Sequence, residues 1–220
     1  MRAETSLQAT YRRRFEPDVA FRRRMWQVLC HDFFQRYVPP NSTVLEVGAG
    51  YCEFINSIRA ARKLAVDLNP DTAQHAAPDV QVIHSSSTDL SVLESRTVDV
   101  AFASNFFEHL DRPDIVLTLR EVARVLRPEG TFLVLQPNYR FCYRDYWMFF
   151  DHITPLDDRS LSEALETNGF RTVQTIVRFL PYTTKSRLPK SVALLRAYLR
   201  LPLVWRLMGR QSLIVAQVEL

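Results

Sequence analysis

Five short apolar runs, separated by stretches of mixed polarity, occupy the middle of the chain between residues 43 and 136. Strands of a parallel sheet have this continuous apolar character, because helices cover both of their faces. The pattern therefore predicts buried strands at residues 43–47, 63–67, 80–84, 98–104 and 131–136.

Helical periodicity appears between the last two of these runs, where one face carries Ile115, Leu119, Val122 and Leu126. The Arg-Pro-Glu-Gly sequence at residues 127–130 is a stop signal for this helix. A second helix is predicted to begin with a capping box at residues 160–163 and to end at residues 168–169, Asn-Gly. Between the two, residues 137–155 are rich in aromatic side chains and are predicted to be nearly free of helix.

Length and composition agree with one α/β domain. The chain has 220 residues, of which 47% are hydrophobic, enough for a single large core. It contains no run of 18 apolar residues and no apolar leader near Met1, so we expect neither a membrane span nor a signal peptide. Three cysteines without metal-ligand spacing indicate a reducing cytoplasm, no disulfide framework and no metal site.

The first predicted strand ends in a glycine turn with unusual composition. The chain has only five glycines, and two of them, Gly48 and Gly50, lie within three positions of each other. A strand that ends in such a turn and leads into a helix offers free backbone N–H groups and room for a ligand. The segment from Val44 to Cys52 is therefore predicted to be a cofactor loop.

The residues around the glycines distinguish between cofactors. The dinucleotide fingerprint Gly-x-Gly-x-x-Gly needs a third glycine where this chain has Glu53, so NAD fits poorly. Glu46, two residues before Gly48, suits a ligand with a cationic end. Asp67, which ends the second predicted strand, is placed to accept hydrogen bonds from both ribose hydroxyls of a nucleoside. Together these features describe S-adenosylmethionine.

On these residues the chain resembles the class I S-adenosylmethionine-dependent methyltransferases over nearly its whole length. Its motif, an acid followed by Gly-x-Gly-x-Gly, corresponds to residues 46–52, with Cys52 in place of the third glycine. The resemblance implies a single Rossmann-like domain spanning residues 1–220. Its sheet would have seven mostly parallel strands with helices on both faces, and residues 172–180 and 212–218 would form an antiparallel C-terminal hairpin. Cap helices are expected within residues 1–37, and a basic helical insertion at residues 185–210.

The resemblance also implies a set of cofactor contacts along the ends of four strands. Asp89 would be the acid on the adenine side, although it also suits the cap of a helix beginning near Leu90. Asn105 would follow the fourth strand, although it also suits a role in satisfying turn backbone groups. The complete implied set is Glu46, Gly48, Ala49, Gly50, Tyr51, Asp67, Leu68, Asp89, Leu90 and Asn105.

The acceptor side is predicted at residues 137–155, because α/β sheets hold ligands beyond their strand tips. Methyl transfer to a hydroxyl requires alignment and removal of a proton. His152 is the candidate base near neutral pH, with Asp151 orienting or charging it, and His109 is a second candidate. The alternatives are structural roles for both histidines and a turn-backbone role for Asp151.

Two further segments resemble methyltransferases encoded among bacterial polysaccharide and glycoconjugate enzymes. These are residues 146–156, which contain the Asp-His-x-Thr-Pro sequence, and residues 179–186. This resemblance implies a saccharide-type acceptor, methylated on a hydroxyl group.

Charge is unevenly distributed along the chain, whose overall net charge is +4. Residues 171–220 hold nine Arg or Lys against one acid, and residues 1–37 hold eight against four. Basic ends favour an anionic or lipid-linked acceptor, or contact with phospholipid at the inner face of the membrane. The basic ends carry no nucleic-acid recognition motif, so we do not expect nucleic acid to be a partner.

Residues 190–210 predict a basic amphipathic helix that Pro202 kinks or splits. It suits peripheral membrane contact, or a helical insertion packed on the core with its arginines extended into solvent.

Two other functions remain open at this point. A nicotinamide-dependent oxidoreductase would share the glycine turn and Asp67, although Glu53 and the C-terminal hairpin count against it. A catalytically silent binding protein would use the cofactor fold structurally and the basic helix for docking.

Overall fold

The computed structural model describes residues 6–15, 18–182 and 191–219. Strands alternate with helices through the middle of the chain. The strands are β1 (Thr43–Val47), β2 (Arg62–Asp67), β3 (Val80–His84), β4 (Val98–Ser104), β5 (Leu126–Pro137), β6 (Phe170–Ile176) and β7 (Gln211–Val218). The helices are α1 (Ser6–Phe15), α2 (Val19–Asp32), α3 (Glu53–Ser57), α4 (Thr72–His75), α5 (Arg112–Val125), α6 (Tyr139–Tyr146), α7 (Asp158–Glu166), α8 (Val192–Leu199) and α9 (Pro202–Met208).

All seven strands form one sheet in the order β3-β2-β1-β4-β5-β7-β6. The first five strands pair in parallel, and β7 is antiparallel to both of its neighbours, β5 and β6. The predicted seven-stranded sheet with an antiparallel C-terminal hairpin is therefore confirmed. The order reverses beside β1, so the carboxyl ends of β1, β2 and β4 meet at one edge, where α/β sheets commonly bind ligands.

Both faces of the sheet are buried, which explains the continuous apolar runs in the sequence. On one face, Phe102 of β4 packs among α2, α3 and α8, and its ring stacks on Phe54 with centroids 3.7 Å apart. On the other face, Ala101 and Ala103 of the same strand pack with α5 and α7. Successive residues in the middle of β4 thus pack into opposite cores, and only Asp99 and Ser104 on this strand are partly exposed.

The structure corrects two helix predictions. Residues 139–146, predicted to be nearly free of helix, form α6, which the Asn138 side chain caps by accepting from the Arg140 N–H. The second predicted helix begins earlier, because its capping box pairs Asp157 with Ser160 rather than Ser160 with Glu163. In each case an N-cap residue that the sequence pattern did not identify, Asn138 or Asp157, begins the helix.

The basic segment before β7 forms two short helices. Pro202 divides α8 from α9, as predicted, and Leu199 and Trp205 anchor the pair in the core. Residues 185–190 of the predicted insertion, and residues 183–186 of the segment likened to polysaccharide enzymes, lie outside the described residues, as do residues 1–5 and 16–17 of the predicted cap.

Candidate functional site

The glycine turn after β1 adopts a backbone that glycine favours. Gly48 and Gly50 have φ values of 68° and 52°. A Cβ on Gly48 would collide with the Phe106 ring, so this position has no room for a side chain. Cys52 also adopts a left-handed conformation, with φ of 57°, immediately before α3. The position that has glycine in the resembled motif therefore keeps a glycine-like backbone here, and the Cys52 side chain is fully buried.

The backbone N–H groups of this turn donate within the chain. Gly48 and Ala49 both donate to the Val66 carbonyl, at 2.9 and 3.1 Å, and Gly50 donates to the Asp67 Oδ2 at 2.7 Å. The expectation that the turn would offer these N–H groups free is wrong. The turn instead joins β1 to the end of β2 and fixes the position of Asp67.

Asp67 lies at the carboxyl end of β2, buried beside the turn. Its Oδ1 accepts from the Asn69 N–H at 2.7 Å. Burial raises the pKa of the Asp67 carboxyl, while the hydrogen bonds from Asn69 and Gly50 oppose the shift. The next residue, Leu68, is exposed. A buried carboxyl held by two N–H donors is a fixed acceptor that a ribose hydroxyl can use.

Glu46 lies on β1, the strand adjacent to β2, and is also buried. Its Oε2 accepts from the Ile55 N–H of α3 at 3.0 Å. Burial raises the pKa of Glu46 well above its ordinary value, and the negative charges of Glu53 and Asp67 act in the same direction. Two buried carboxyls that repel each other's charge suit a cationic ligand, because a positive charge stabilises their ionised forms. This donor set therefore fits S-adenosylmethionine.

Other residues of the predicted cofactor set lie around the same strand ends. The Tyr51 ring stacks on His75, with centroids 3.8 Å apart. Asn105 follows β4 in a left-handed conformation, with φ of 48°, and its side chain donates to Ser104. That local bond agrees with the turn role considered for Asn105. Its position beside the turn is consistent with a ligand contact as well.

Asp89 and Leu90 lie in the loop that follows β3. Asp89 accepts from the Ser91 N–H and belongs to a loop turn, with no helix starting at Leu90. Leu90 is fully buried in the core beneath α5, and its N–H donates to Glu121. The hydrogen bonds described for these two residues are made within the loop and to α5, and none of them joins the glycine turn. The helix-cap alternative for Asp89 is wrong, because no helix begins at Leu90.

A residue that sequence patterns did not indicate, Tyr11, covers the glycine turn. Its Cε1 lies 3.0 Å from the position of a Cβ on Gly50. Burial and the charge of Asp67 raise the pKa of the Tyr11 hydroxyl. Helix α1 is attached over the strand ends by Gln8, which donates to Asp71, and by Arg14, which pairs with Asp151 at 2.5 Å. No local signal marks Tyr11, because only the tertiary position of α1 brings it to the turn.

A second cluster of polar side chains lies beyond β4 and β5. The side chains of Glu108, His109 and His152 each offer a ligand atom within 4.8 Å of the others. Backbone bonds hold the two loops together, since Ile153 and Thr154 both donate to the Glu108 carbonyl. The structure therefore brings the two predicted histidines together, with ring centroids 5.0 Å apart, and adds Glu108.

Asp151 contacts His109 and not its neighbour His152, which corrects the predicted pairing. The His109 Nδ1 lies 3.3 Å from the Asp151 Oδ2 and 3.1 Å from the Asp151 carbonyl oxygen. Burial raises the pKa of Asp151, but Arg14 binds the same carboxylate and, with the charge of His109, lowers that pKa by more. The pKa of Asp151 is therefore below its ordinary value. Adjacent residues in this loop point apart, and the acid therefore serves the other histidine.

Burial sets the protonation of this second cluster. It lowers the pKa of His152 to about 4, with a further contribution from the charge of His109. Burial also raises the pKa of Glu108. The expectation that His152 titrates near neutral pH is therefore corrected: its imidazole is neutral at pH 7, able to accept a proton or to bind a metal through nitrogen, and a weaker base than predicted.

Several polar atoms near this cluster are buried without a hydrogen-bond partner. They include the Glu108 Oε2, the His152 Nδ1 and the Tyr182 hydroxyl. Buried polar groups are normally paired, so these atoms can take a hydrogen bond or a coordination bond from water, a ligand or an ion. Neither Glu108 nor Tyr182 is among the predicted site residues. Their positions could have indicated them, since Glu108 directly precedes the candidate base His109 and Tyr182 belongs to the Phe-Leu-Pro-Tyr segment.

Exposed apolar side chains lie in two nearby regions. After α6, Trp147, Met148 and Ile153 are half exposed and Phe150 is fully exposed. On α9, Leu203 and Leu207 are 77% and 78% exposed. In the part of the chain that the structure describes, no helix is long and apolar enough to cross a membrane.

Comparison with known proteins agrees with the geometry of the site. Residues 45–134 match the model of a methyltransferase domain. A probable S-adenosylmethionine-dependent methyltransferase from Mycolicibacterium smegmatis is 34% identical over 142 residues, which cover 60% of this chain and 53% of the relative. The chain thus spans about half the length of this curated relative.

Solved structures show the same fold. A methyltransferase from Archaeoglobus fulgidus has a TM-score of 0.67 at 19% identity, covering 92% of this chain and 98% of its own. A geranyl diphosphate methyltransferase in complex with S-adenosylmethionine has a TM-score of 0.59 at 17% identity, covering 84% and 81%. At these identities the similarities show the fold alone, a Rossmann-like fold shared with these two methyltransferases.

Proposed function

We propose that this chain, which carries a methyltransferase domain, transfers a methyl group from S-adenosylmethionine to a hydroxyl group of a saccharide or glycoconjugate. One observation carries the proposal for the cofactor. The two buried carboxyls of Glu46 and Asp67 lie at the ends of adjacent strands on either side of a left-handed glycine turn. That combination of charge and backbone suits a cationic nucleoside.

The residues around the turn would hold the cofactor in separate ways. Asp67 would accept from the ribose hydroxyls, and Glu46 would stabilise the positive charge of the methionine end. Contacts to the rest of the cofactor are proposed for Gly48, Ala49, Gly50, Tyr51, Leu68 and Asn105. When bound, the cofactor supplies an electrophilic methyl group on its sulfonium.

The chain's own residues would align the acceptor, exclude water and remove a proton. Tyr11 and α1 cover the strand ends and would shield them from solvent. An acceptor hydroxyl must lose its proton as it gains the methyl group. Glu108 and His152 are the groups placed to accept it, and Asp151 is a positioning residue that holds His109.

The saccharide acceptor is the finer part of the proposal. Exposed aromatic rings beside the second cluster, among them Trp147 and Phe150, support it because aromatic faces stack on the apolar C–H faces of sugars. The clustered arginines of α1 support an anionic acceptor.

The experiment that tests this function has two stages. Calorimetry with S-adenosylmethionine and S-adenosylhomocysteine should show saturable binding of one molecule per chain. Transfer of label from the methyl group should then be followed into nucleotide sugars, oligosaccharides and glycolipid extracts. Absence of binding would contradict the assignment of the cofactor. Binding with no transfer to any acceptor would support the catalytically silent alternative, and label in a protein or nucleic-acid fraction alone would contradict the small-molecule acceptor.

We also propose that α8 and α9 rest on an anionic phospholipid surface, at the cytoplasmic side. The exposed Leu203 and Leu207 lie on the same short helix as the exposed Arg206, with Arg200 just before it. An apolar surface edged with arginine suits the boundary between lipid headgroups and acyl chains. Co-sedimentation with phosphatidylglycerol vesicles should decrease in a Leu203→Ser, Leu207→Ser variant and not in Leu117→Ser, which alters an exposed leucine of α5. Equal sedimentation of all three proteins would contradict the proposal.

A further inference from the structure

We propose that Glu108, His109 and His152 bind a divalent first-row transition-metal ion. This differs from the sequence-based expectation of no metal site, because the three residues lack a recognisable ligand spacing and His152 is distant from the other two along the chain. Folding brings them together at the loops that follow β4 and α6.

The geometry places one carboxylate and two imidazoles around a common point. One ligand atom from each residue lies within 4.8 Å of the other two. The His109 Nε2 is 3.9 Å from the Glu108 Oε1. Ligands of one ion at bond lengths near 2.1 Å are separated by about 3 to 3.5 Å, so small side-chain rotations complete the site.

The support around His109 is that of a metal-binding histidine. Its Nδ1 faces the Asp151 carboxylate and carbonyl oxygens, so the proton resides on Nδ1 and the lone pair of Nε2 points toward Glu108. Arg14 in turn holds Asp151. A carboxylate that orients a histidine in this way fixes the tautomer and the direction of the ring, as it does for metal ligands.

Two of the three ligands carry buried atoms without a partner, and this observation is independent of their proximity. Glu108 is 1% exposed and its Oε2 has no hydrogen-bond partner, while His152 is 8% exposed and its Nδ1 has none. Leaving such atoms unsatisfied destabilises a protein, and does so more for a charged group than for a neutral one. A bound cation would satisfy both.

The donor set selects the kind of ion. Two imidazole nitrogens with one carboxylate suit Zn²⁺, Mn²⁺, Fe²⁺ or Co²⁺, whereas Mg²⁺ and Ca²⁺ prefer oxygen ligands. Three protein ligands leave coordination positions open, which distinguishes catalytic from structural sites. With the ion bound, Glu108 and His152 would act as its ligands in place of the proton acceptors proposed above. An acceptor hydroxyl at an open position would have its pKa lowered by the ion and would lose its proton to solvent. This role of the ion rests on the proposed function.

Metal binding can be measured without any activity. Protein depleted with EDTA and titrated with Co²⁺ should develop visible absorption bands and bind one ion per chain, and Zn²⁺ but not Mg²⁺ should displace it. Glu108→Gln and His152→Ala should weaken Zn²⁺ binding at least tenfold, and Asp151→Asn by about 10- to 100-fold through its effect on His109. The control is His31→Ala, which removes an exposed imidazole and should bind like the wild type.

Each outcome decides the inference. Binding lost in the site variants and retained in His31→Ala supports it. No binding by the folded wild-type protein, or equal binding by all variants, overturns it, with circular dichroism verifying that each variant folds. Parallel titration with S-adenosylhomocysteine separates the two proposals. Zn²⁺ binding without nucleoside binding would overturn the methyltransferase function and leave the metal site. Nucleoside binding without Zn²⁺ binding would overturn only the metal site.

Discussion

The ring of Tyr11 lies on Gly50, so that its Cε1 is 3.0 Å from the position where a Cβ on that glycine would be. Helix α1 thereby covers the turn that is proposed to bind the cofactor. Gly50 in turn donates to Asp67, so the ring covers a residue that is bonded directly to the carboxylate proposed to hold the ribose. Entry of the cofactor should therefore require α1 to move.

Loosening α1 should speed cofactor association. Arg14→Gln removes the ion pair with Asp151, whose partly exposed groups contribute up to about 1 kcal/mol. We expect association of S-adenosylhomocysteine, measured by stopped-flow fluorescence, to become several-fold faster. Arg13→Gln alters an exposed arginine of the same helix and is the control. An association rate unchanged by Arg14→Gln would show that α1 does not gate the site.

Asp67 and Asp89 should differ in their effect on cofactor binding. Asp67→Ala should weaken binding by about 1.5 to 3 kcal/mol, the range for hydrogen bonds to a charged group. Asp89→Ala should leave affinity unchanged, because Asp89 lies in the loop beside Ser91. Calorimetry on both variants tests this difference, with thermal unfolding of Asp67→Ala measured separately because its carboxyl also accepts from Gly50 and Asn69. Equal losses from the two variants would contradict the placement.

Cofactor affinity should rise with pH through Glu46. Burial and the charges of Glu53 and Asp67 raise the pKa of Glu46 in the free protein. The thiols of Cys30 and Cys52 also face Glu46, and burial raises their pKa values too. A cationic ligand favours the ionised carboxylate, so binding lowers this pKa and releases a proton. Binding is therefore weakest below the ordinary glutamate pKa and strengthens until pH passes the raised value.

Calorimetry in two buffers of different ionisation enthalpy measures that proton directly. The wild-type protein should release a larger fraction of a proton than Glu46→Gln, in which the release that remains comes from Asp67. Proton uptake on binding, or identical release by both proteins, would contradict a role for Glu46 near the cationic end.

His152 should matter for turnover more than for cofactor binding. His152→Ala should lower the rate of transfer by roughly a hundredfold or more, the contribution of a positioned acid-base group. S-adenosylhomocysteine affinity should stay near the wild-type value. His31→Ala is the matched control, and a nearly wild-type rate for His152→Ala would remove this residue from the reaction.

The aromatic stack between β4 and α3 should dominate local stability. Phe102 is fully buried and stacks on Phe54. Phe102→Ala should lower the free energy of unfolding by about 3 to 5 kcal/mol, measured by urea denaturation. Leu117→Ala, at an exposed position of α5, should change it by less than about 0.5 kcal/mol. Similar losses would indicate that the stack is not part of the folding core.

The strands were predictable because burial on both faces leaves a continuous apolar pattern. β1, β3 and β4 have the predicted bounds, and β2 begins one residue earlier. The start of β5 at Leu126 was not predicted, because a Pro-Glu-Gly sequence ordinarily ends structure, and here Glu129 instead adopts a left-handed conformation within the strand. Turn residues indicate where the backbone bends, but they do not indicate whether the strand stops pairing with its neighbour at that point.

Helix α6 was hidden by its aromatic composition. Its buried residues, Cys142 and Tyr146, are spaced by four, and Asn138 supplies the N-cap. The helical signal was therefore present, but the density of aromatic residues suggested an irregular cover. The predicted capping box of α7 begins at Ser160, three residues later than the observed one. Ser160 is a suitable N-cap by its sequence, but in the structure it is the partner of the true N-cap, Asp157.

The part of the candidate site that could be predicted lies in the segments directly after predicted strands. Glu46, Gly48 and Gly50 could be identified from their order along the chain, and Asp67 from its place at the end of the next strand. Tyr11 and the pairing of Asp151 with His109 could not, because each depends on loops and helices distant in sequence that meet only after folding.

The three thiols of the chain, on Cys30, Cys52 and Cys142, are all buried. They belong to α2, to the turn before α3 and to α6; Cys30 and Cys52 lie in one apolar core, and Cys142 lies in another. A modifying reagent such as a disulfide dye reaches each sulfur only when its own surroundings open transiently. The native protein thus contains three internal reporters of local opening, and ligand protection at Cys52 alone would locate an occupant beside the glycines without any label being introduced.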